Sequence, residues 1–231
     1  MNKSNNLENY IWLTERINWQ TAKRPLRLMN FIPNSFDNYL GIIWNIEIIK
    51  DFPFQNFIEN PESEEEIKNN RLIWNKFPSI FKNSYENFSE ISTRELFLKF
   101  KIPYDYYKND GKLPWHTKAI KVNFDKLNTN LWESLRGLES GEELNVYWED
   151  YYRFELEDKY FKGSLKEFLK ELEESGYDAS VYIFPNNKEW CFINLEDLGF
   201  NVIAFNDIVR DKLDFTKIEI FKLSLDDILF K

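Results

Sequence analysis

Leu40, Ile42, Trp44, Ile46 and Ile48 recur at every second position, and this alternation predicts a strand over residues 39–49. Ile43 and Ile49 fall on its other side, so both faces of that strand are expected to be covered. Residues 26–31 read as an earlier strand, and the acidic stretch 62–70 reads as the start of a surface helix. Ser92-Thr93-Arg94-Glu95 has the form of a capping box, in which a hydroxyl and a carboxylate satisfy amides that a helix start leaves unpaired. It predicts a short helix through Phe100. Further on, Phe124, Leu127, Leu131, Leu135 and Leu138 fall on one helical stripe, which predicts a helix over 124–138 packed against a sheet.

The second half of the chain continues this pattern. Residues 144–154 have strand propensity, and Ser164-Leu165-Lys166-Glu167 is a second capping box leading into Leu165, Phe168, Leu169 and Leu172. Gly176 supplies the stop for that helix. Residues 181–184 and 189–194, joined by Pro185-Asn186-Asn187-Lys188, read as a hairpin. Residues 200–205 form a third strand, 207–213 a short helix and 217–223 a last strand. The fold class that follows is α+β, a mixed or mostly antiparallel sheet with helices packed on one face. Trp44, Leu131, Phe168, Ile183, Phe192 and Val202 are expected in its core, together with Cys191, which sits in the apolar run 190–193.

Length and punctuation favour one domain spanning residues 1–231, with an internal seam at 103–114 where a tyrosine-rich loop ends in Asn109-Asp110-Gly111. No repeat at a solenoid or propeller period is present. The 43% hydrophobic and 30% charged content describes a chain that folds, and the 18% aromatic content means that rings dominate its core. Thirty basic against 39 acidic residues give a net charge of −9, a field that repels phosphate backbones and anionic lipid. Nucleic acid and membrane are therefore not expected as partners. With a single cysteine no disulfide forms within the chain, and Met1 to Asn6 has no apolar stretch of the signal-peptide kind, so a cytoplasmic location is expected.

Motifs for chemistry are sparse. One histidine and one cysteine do not make a thiolate or multi-histidine metal site, and the carboxylates do not fall in a calcium-loop pattern. Nucleotide-binding and nucleophile-elbow glycine motifs are missing. His116 reads as a loop residue held by hydrogen bonds. No cofactor and no metal are expected, and the chain does not read as an enzyme. The alternative is a metal-independent hydrolase or a glycan-binding protein, for which Glu149 and Asp150 beside aromatic residues are the candidate carboxylates. Neighbours on a regular strand point to opposite faces, so that pair cannot flank one substrate. Glu171, Glu173 and Glu174 lie at the end of their helix where its dipole disfavours negative charge, and they read as a solvated face.

Tyr147-Trp148-Glu149-Asp150-Tyr151-Tyr152 holds more rings and carboxylates than one strand buries. Trp148, Glu149, Asp150, Tyr151 and Tyr152, with Tyr104, Tyr106 and Tyr107 of the earlier loop, are therefore the expected contact surface for a basic protein partner.

Two likenesses bear on this. Ile183-Phe184-Pro185-Asn186-Asn187-Lys188-Glu189-Trp190-Cys191, followed by Glu196-Asp197-Leu198 and Asn201-Val202-Ile203-Ala204, resembles a hairpin stretch of an uncharacterised bacterial family. The family pattern is aromatic-x-P-x-D-R-x-W, and Phe31-Ile32-Pro33-Asn34-Ser35-Phe36-Asp37-Asn38-Tyr39-Leu40 resembles its I-P-x-x-F-x-x-Y segment. Asn187-Lys188 stands here for its Asp-Arg, and Phe205-Asn206 for its glycines. That resemblance implies a single domain spanning both halves and carries no assigned activity with it. In character the chain is also similar to the acidic immunity proteins that bacteria keep beside secreted toxins, the SMI1/KNR4-like group among them, which implies a basic, toxin-like partner.

Overall fold

The computed structural model describes residues 1–4, 7–18, 21–58, 60–77, 88–105, 118–149, 159–175, 177–196 and 198–230. The strands in chain order are β1 (Asn2–Lys3), β2 (Leu26–Arg27), β3 (Asn38–Ile43), β4 (Ile46–Ile49), β5 (Phe88–Ile91), β6 (Ile120–Val122) and β7 (Leu144–Trp148). They continue as β8 (Tyr160–Gly163), β9 (Val181–Phe184), β10 (Trp190–Asn194), β11 (Phe200–Phe205), β12 (Ile220–Lys222) and β13 (Ile228–Phe230). The α-helices are α1 (Glu8–Thr14), α2 (Glu64–Lys76), α3 (Thr93–Lys99), α4 (Phe124–Leu135) and α5 (Leu165–Glu174). The chain divides into two compact units, one of residues 1–44 and 124–231 and one of residues 45–123. The seam expected at 103–114 lies inside the second unit, and residues 106–114 of it are outside the described ones.

The larger unit is built on an eight-stranded sheet in the order β1-β8-β7-β9-β10-β11-β3-β12. Every pairing in it is antiparallel, so the α+β class expected from the sequence holds. The hairpin expected at 181–194 is β9 and β10, with Ile183 opposite Phe192, and Ile203 of β11 continues the row. These residues share one face with Val146 and Ile42. There they pack against Leu127, Leu131 and Leu135 of α4 and Phe168, Leu169 and Leu172 of α5, all buried. Burying such side chains contributes about 1.5–3 kcal/mol each before conformational entropy is counted, which makes this layer the main source of stability.

The opposite face is also covered. Tyr10 of α1 donates its hydroxyl to the Phe161 carbonyl, and Tyr10 and Trp12 both lie against Phe184, at 5.9 and 5.1 Å between ring centres. Cys191 faces this side and is fully buried, which pushes its thiol far above the ordinary range.

Four predicted elements differ from the structure. The strand expected over 39–49 is broken at Trp44-Asn45, and β3 and β4 belong to different sheets. The apolar alternation continues through the break, but the hydrogen-bonding partners change. The indole of Trp44 donates to Asn201 (3.0 Å), whereas the Asn45 carbonyl accepts from Asn123 (2.9 Å). Trp44 is consequently half-buried, not a core residue. The strand expected at 26–31 stops at Arg27, because the Asn30 side chain accepts from the Arg27 amide (2.7 Å) and folds Leu28–Asn30 into a 3₁₀ turn. The last strand is shortened to β12, and the helix expected at 207–213 is 3₁₀ over Asp207–Lys212.

The smaller unit holds the antiparallel sheet β5-β4-β6 with α2 and α3. Its core is aromatic. Phe52 meets Phe54, Trp74 and Phe77 at 4.7, 5.2 and 5.3 Å between ring centres. The capping boxes read from Ser92 and Ser164 are both formed, and Ser63 makes a third at the start of α2. Each serine-to-alanine loss of such a cap costs about 1 kcal/mol.

After α4 the chain makes a 3₁₀ turn, Arg136–Leu138, that lies directly on Asp207–Lys212. A Cβ placed on Gly137 would stand 2.2 Å from the Lys212 carbonyl oxygen, whereas one on Gly141, at φ +83°, would meet nothing within 4 Å. Gly137→Ala therefore forces backbone apart and should cost about 1–3 kcal/mol, lowering Tm by roughly 2–4 °C per kcal/mol. Gly141→Ala should cost only its backbone strain, about 1 kcal/mol. Thermal unfolding of both variants checks this, and a Gly137→Ala protein as stable as the wild type would mean that the two turns are not in contact.

Candidate functional site

The segment expected as a contact surface begins in the core. Trp148 is 4% exposed and its ring belongs to the cluster under the helices, and Glu149 is 5% exposed. Their backbone amides bond to Lys159 and Ser180 at 2.9 and 2.8 Å. The expectation that these two side chains form an exposed patch is corrected by that burial: β7 lies inside the sheet, between β8 and β9, and has no outer edge. Tyr104, in the smaller unit, is half-buried, with Phe97 edge-on at 5.5 Å and the Arg94 guanidinium 4.7 Å above its ring. Asp150, Tyr151, Tyr152, Tyr106, Tyr107 and His116 lie outside the described residues.

What the larger unit does present is a groove between α4 and α5, a cavity of about 470 Å³. Asn128, Thr129 and Trp132 line it from α4, and Lys166, Leu169, Lys170 and Glu173 from α5. Apart from Leu169, whose buried side chain forms the floor, these residues occupy the helix faces left over once the leucine stripes are buried. Glu173 meets Asn128 and Lys166 lies about 10 Å further along α5, so the groove is roughly two helical turns long.

One end of the groove is a chain of hydrogen bonds. The hydroxyl of buried Tyr177 donates to the Asn128 carbonyl oxygen, and the Asn128 amide donates to the Glu173 carboxylate. Asp125, in the first turn of α4, lies near the same carboxylate. The Asp125 carboxylate holds Glu173 above the ordinary carboxyl range, with partial burial adding to the effect and the Asn128 amide opposing it. Burial, with the nearby Glu173 charge as a lesser cause, likewise pushes the Tyr177 phenol up. Tyr177 has φ +61°, a conformation unusual for a tyrosine, and its ring is stacked on Phe124 at 5.0 Å and 13°.

Sequence reading missed Trp132, Asn128, Tyr177 and the Asp125–Glu173 pair as a set. One signal pointed to it. Glu173 stands in the last turn of α5, against the helix dipole, and such a carboxylate requires a local reason. Among the described residues no group of three or more histidines, cysteines and carboxylates is placed to hold a metal ion, and no helix is long and apolar enough to cross a membrane.

No protein-family model, curated protein or solved structure matches this chain significantly. The groove offers an indole and apolar floor for desolvated contact, lysines along one rim, and at one end the Glu173 carboxyl, held above its ordinary range beside Asp125.

The raised Glu173 pKa makes a signed prediction. The folded state holds this proton more tightly than the unfolded chain, so the stabilisation is present in acid. It is lost as pH rises from the ordinary glutamate value, about 4.3, through the raised folded one. Glu66, Glu95 and Glu167, lowered by their capping bonds, act in the opposite sense and are common to both proteins compared. Glu173→Gln should therefore gain stability relative to wild type between pH 4 and pH 7. Urea unfolding at the two pH values measures the difference, and an equal difference at both would show that the two carboxyls do not interact.

Proposed function

We propose that this chain is a binding module for a basic protein partner, of the kind that bacterial immunity proteins form with toxins, and that the groove between α4 and α5 receives it. The observation that carries this reading is the crowded carboxyl pair Asp125–Glu173 at the end of an apolar groove containing Trp132. A lysine or arginine of a partner placed there would relieve the repulsion between the carboxyls. Trp132 beside it supplies the kind of aromatic anchor on which interface energy concentrates. The net charge of −9 favours encounter with a basic protein at low salt.

A blocked 14-residue helical peptide carrying leucine and arginine on one face is a direct probe. Calorimetry should give saturable 1:1 binding that weakens at least about tenfold, or 1.4 kcal/mol, in Trp132→Ala and in Glu173→Lys. Glu65→Lys makes the same charge change on exposed α2 and should leave binding nearly intact. Equal weakening by Glu65→Lys and Glu173→Lys would reduce the effect to net charge and remove the groove from the account.

A further inference from the structure

The sheet ends at β12, and among the described residues no strand pairs with its outer edge. Register decides which backbone groups face outward there. The Glu219 carbonyl accepts from the Ile43 amide (2.9 Å), the Leu223 amide donates to the Tyr39 carbonyl (3.0 Å), and Phe221 stands opposite Gly41. Residues 219, 221 and 223 thus direct their backbone toward β3. Ile220 and Lys222 direct theirs away from the sheet, where an added strand would find them. Their side chains, both exposed, lie on the same face as Leu40, and on that face β12 borders a cavity of about 350 Å³. Phe205, Leu213 and Phe215 supply its apolar wall, and Arg210 and Lys222 stand at its rim.

We infer that β12 is a strand-addition site for an extended, acidic segment of a partner protein. A chain paired along this edge sets the residue opposite Ile220 and the residue opposite Lys222 on the cavity face, two positions apart. An apolar side chain at the first enters the cavity. A carboxylate at the second meets the Lys222 ammonium, which has no anionic partner among the described residues. Arg210 is already bonded to Asp207 (2.8 Å) and Asn38 (2.5 Å), so it holds the cavity wall with its charge matched by the Asp207 carboxylate, and among the described residues the free cation at the rim is that of Lys222. A second copy of this chain fits the edge less well. Antiparallel pairing sets Lys222 against Ile218, Ile220 or another Lys222 according to register, and in none of these does it meet a carboxylate.

The site is separate from the groove between α4 and α5, and its test uses a different probe. A blocked hexapeptide with leucine and glutamate two residues apart and threonine between them should slow amide hydrogen exchange at Ile220 and Lys222. Lys222→Glu should weaken its binding at least tenfold. Ile220→Pro, which removes one outward N–H and leaves the bonds to β3 in place, should abolish it. Circular dichroism establishes that each variant is folded, and Lys222→Glu alone suffices if Ile220→Pro is not. Binding undiminished by Lys222→Glu would overturn the inference. So would protection of the same two amides without peptide in a concentration-dependent dimer, because the edge would then belong to a second copy.

Discussion

Two asparagines with no solvent exposure, Asn194 of β10 and Asn201 of β11, sit side by side in the middle of the large sheet, and their side chains bond to each other at 2.7 Å. An amide left unmet in such a place costs about 1–3 kcal/mol, so the pair persists only because its remaining groups are used. Asn194 donates to the carbonyls of Tyr177 (2.9 Å) and Ala179 (2.5 Å), and Asn201 accepts from the Trp44 indole (3.0 Å). The first pair of bonds fixes the turn that leaves α5. The second fixes the ring at the end of β3. Phe124, the first residue of α4, packs against both Tyr177 and Trp44, at 5.0 and 5.8 Å between ring centres. The polar pair therefore positions both helices of the groove, although neither helix contributes a residue to it.

This arrangement explains how the groove end acquires its chemistry. Tyr177 is held by its carbonyl from below and by ring stacking from the side, so its hydroxyl has one direction left, toward Asn128. Asn128 then presents its amide to Glu173, which already shares space with Asp125. A carboxyl pair of this kind needs a rigid frame, since flexible side chains would separate to lower their repulsion. The frame is the sheet, transmitted through side-chain amides. By contrast the β12 edge depends on none of these groups. It follows from strand register and from the apolar residues of the turn beyond β11.

Elements whose residues repeat at one period for several turns were legible in the sequence. The helices α4 and α5, the hairpin β9–β10 and strand β11 carry unbroken patterns and clear start signals at Ser164 and in the 185–188 turn. Strand partners were not legible, because Leu40, Ile42, Trp44, Ile46 and Ile48 keep one alternation while the backbone passes from one sheet to another. The buried asparagines were equally silent. Asn194 and Asn201 look like strand-end residues until their partners, far along the chain at Tyr177 and Trp44, are in place. Trp148 and Glu149 misled for the same reason, since counting rings in a segment does not reveal that β7 has strands on both sides. Glu173 was the one site residue with a local signal, a charge at the wrong end of its helix.

Asn194 and Asn201 act as one unit, and a double-mutant cycle in urea unfolding with Asn194→Ala, Asn201→Ala and the double variant measures their coupling directly. Each single change strands the other's amide, so each should cost about 2–3 kcal/mol. The double variant should cost less than the sum by at least about 1 kcal/mol, because the mutual bond is lost only once. Costs that add to within about 0.5 kcal/mol would mean that the two residues are independent fillers of the sheet and that the pair does not position the helices.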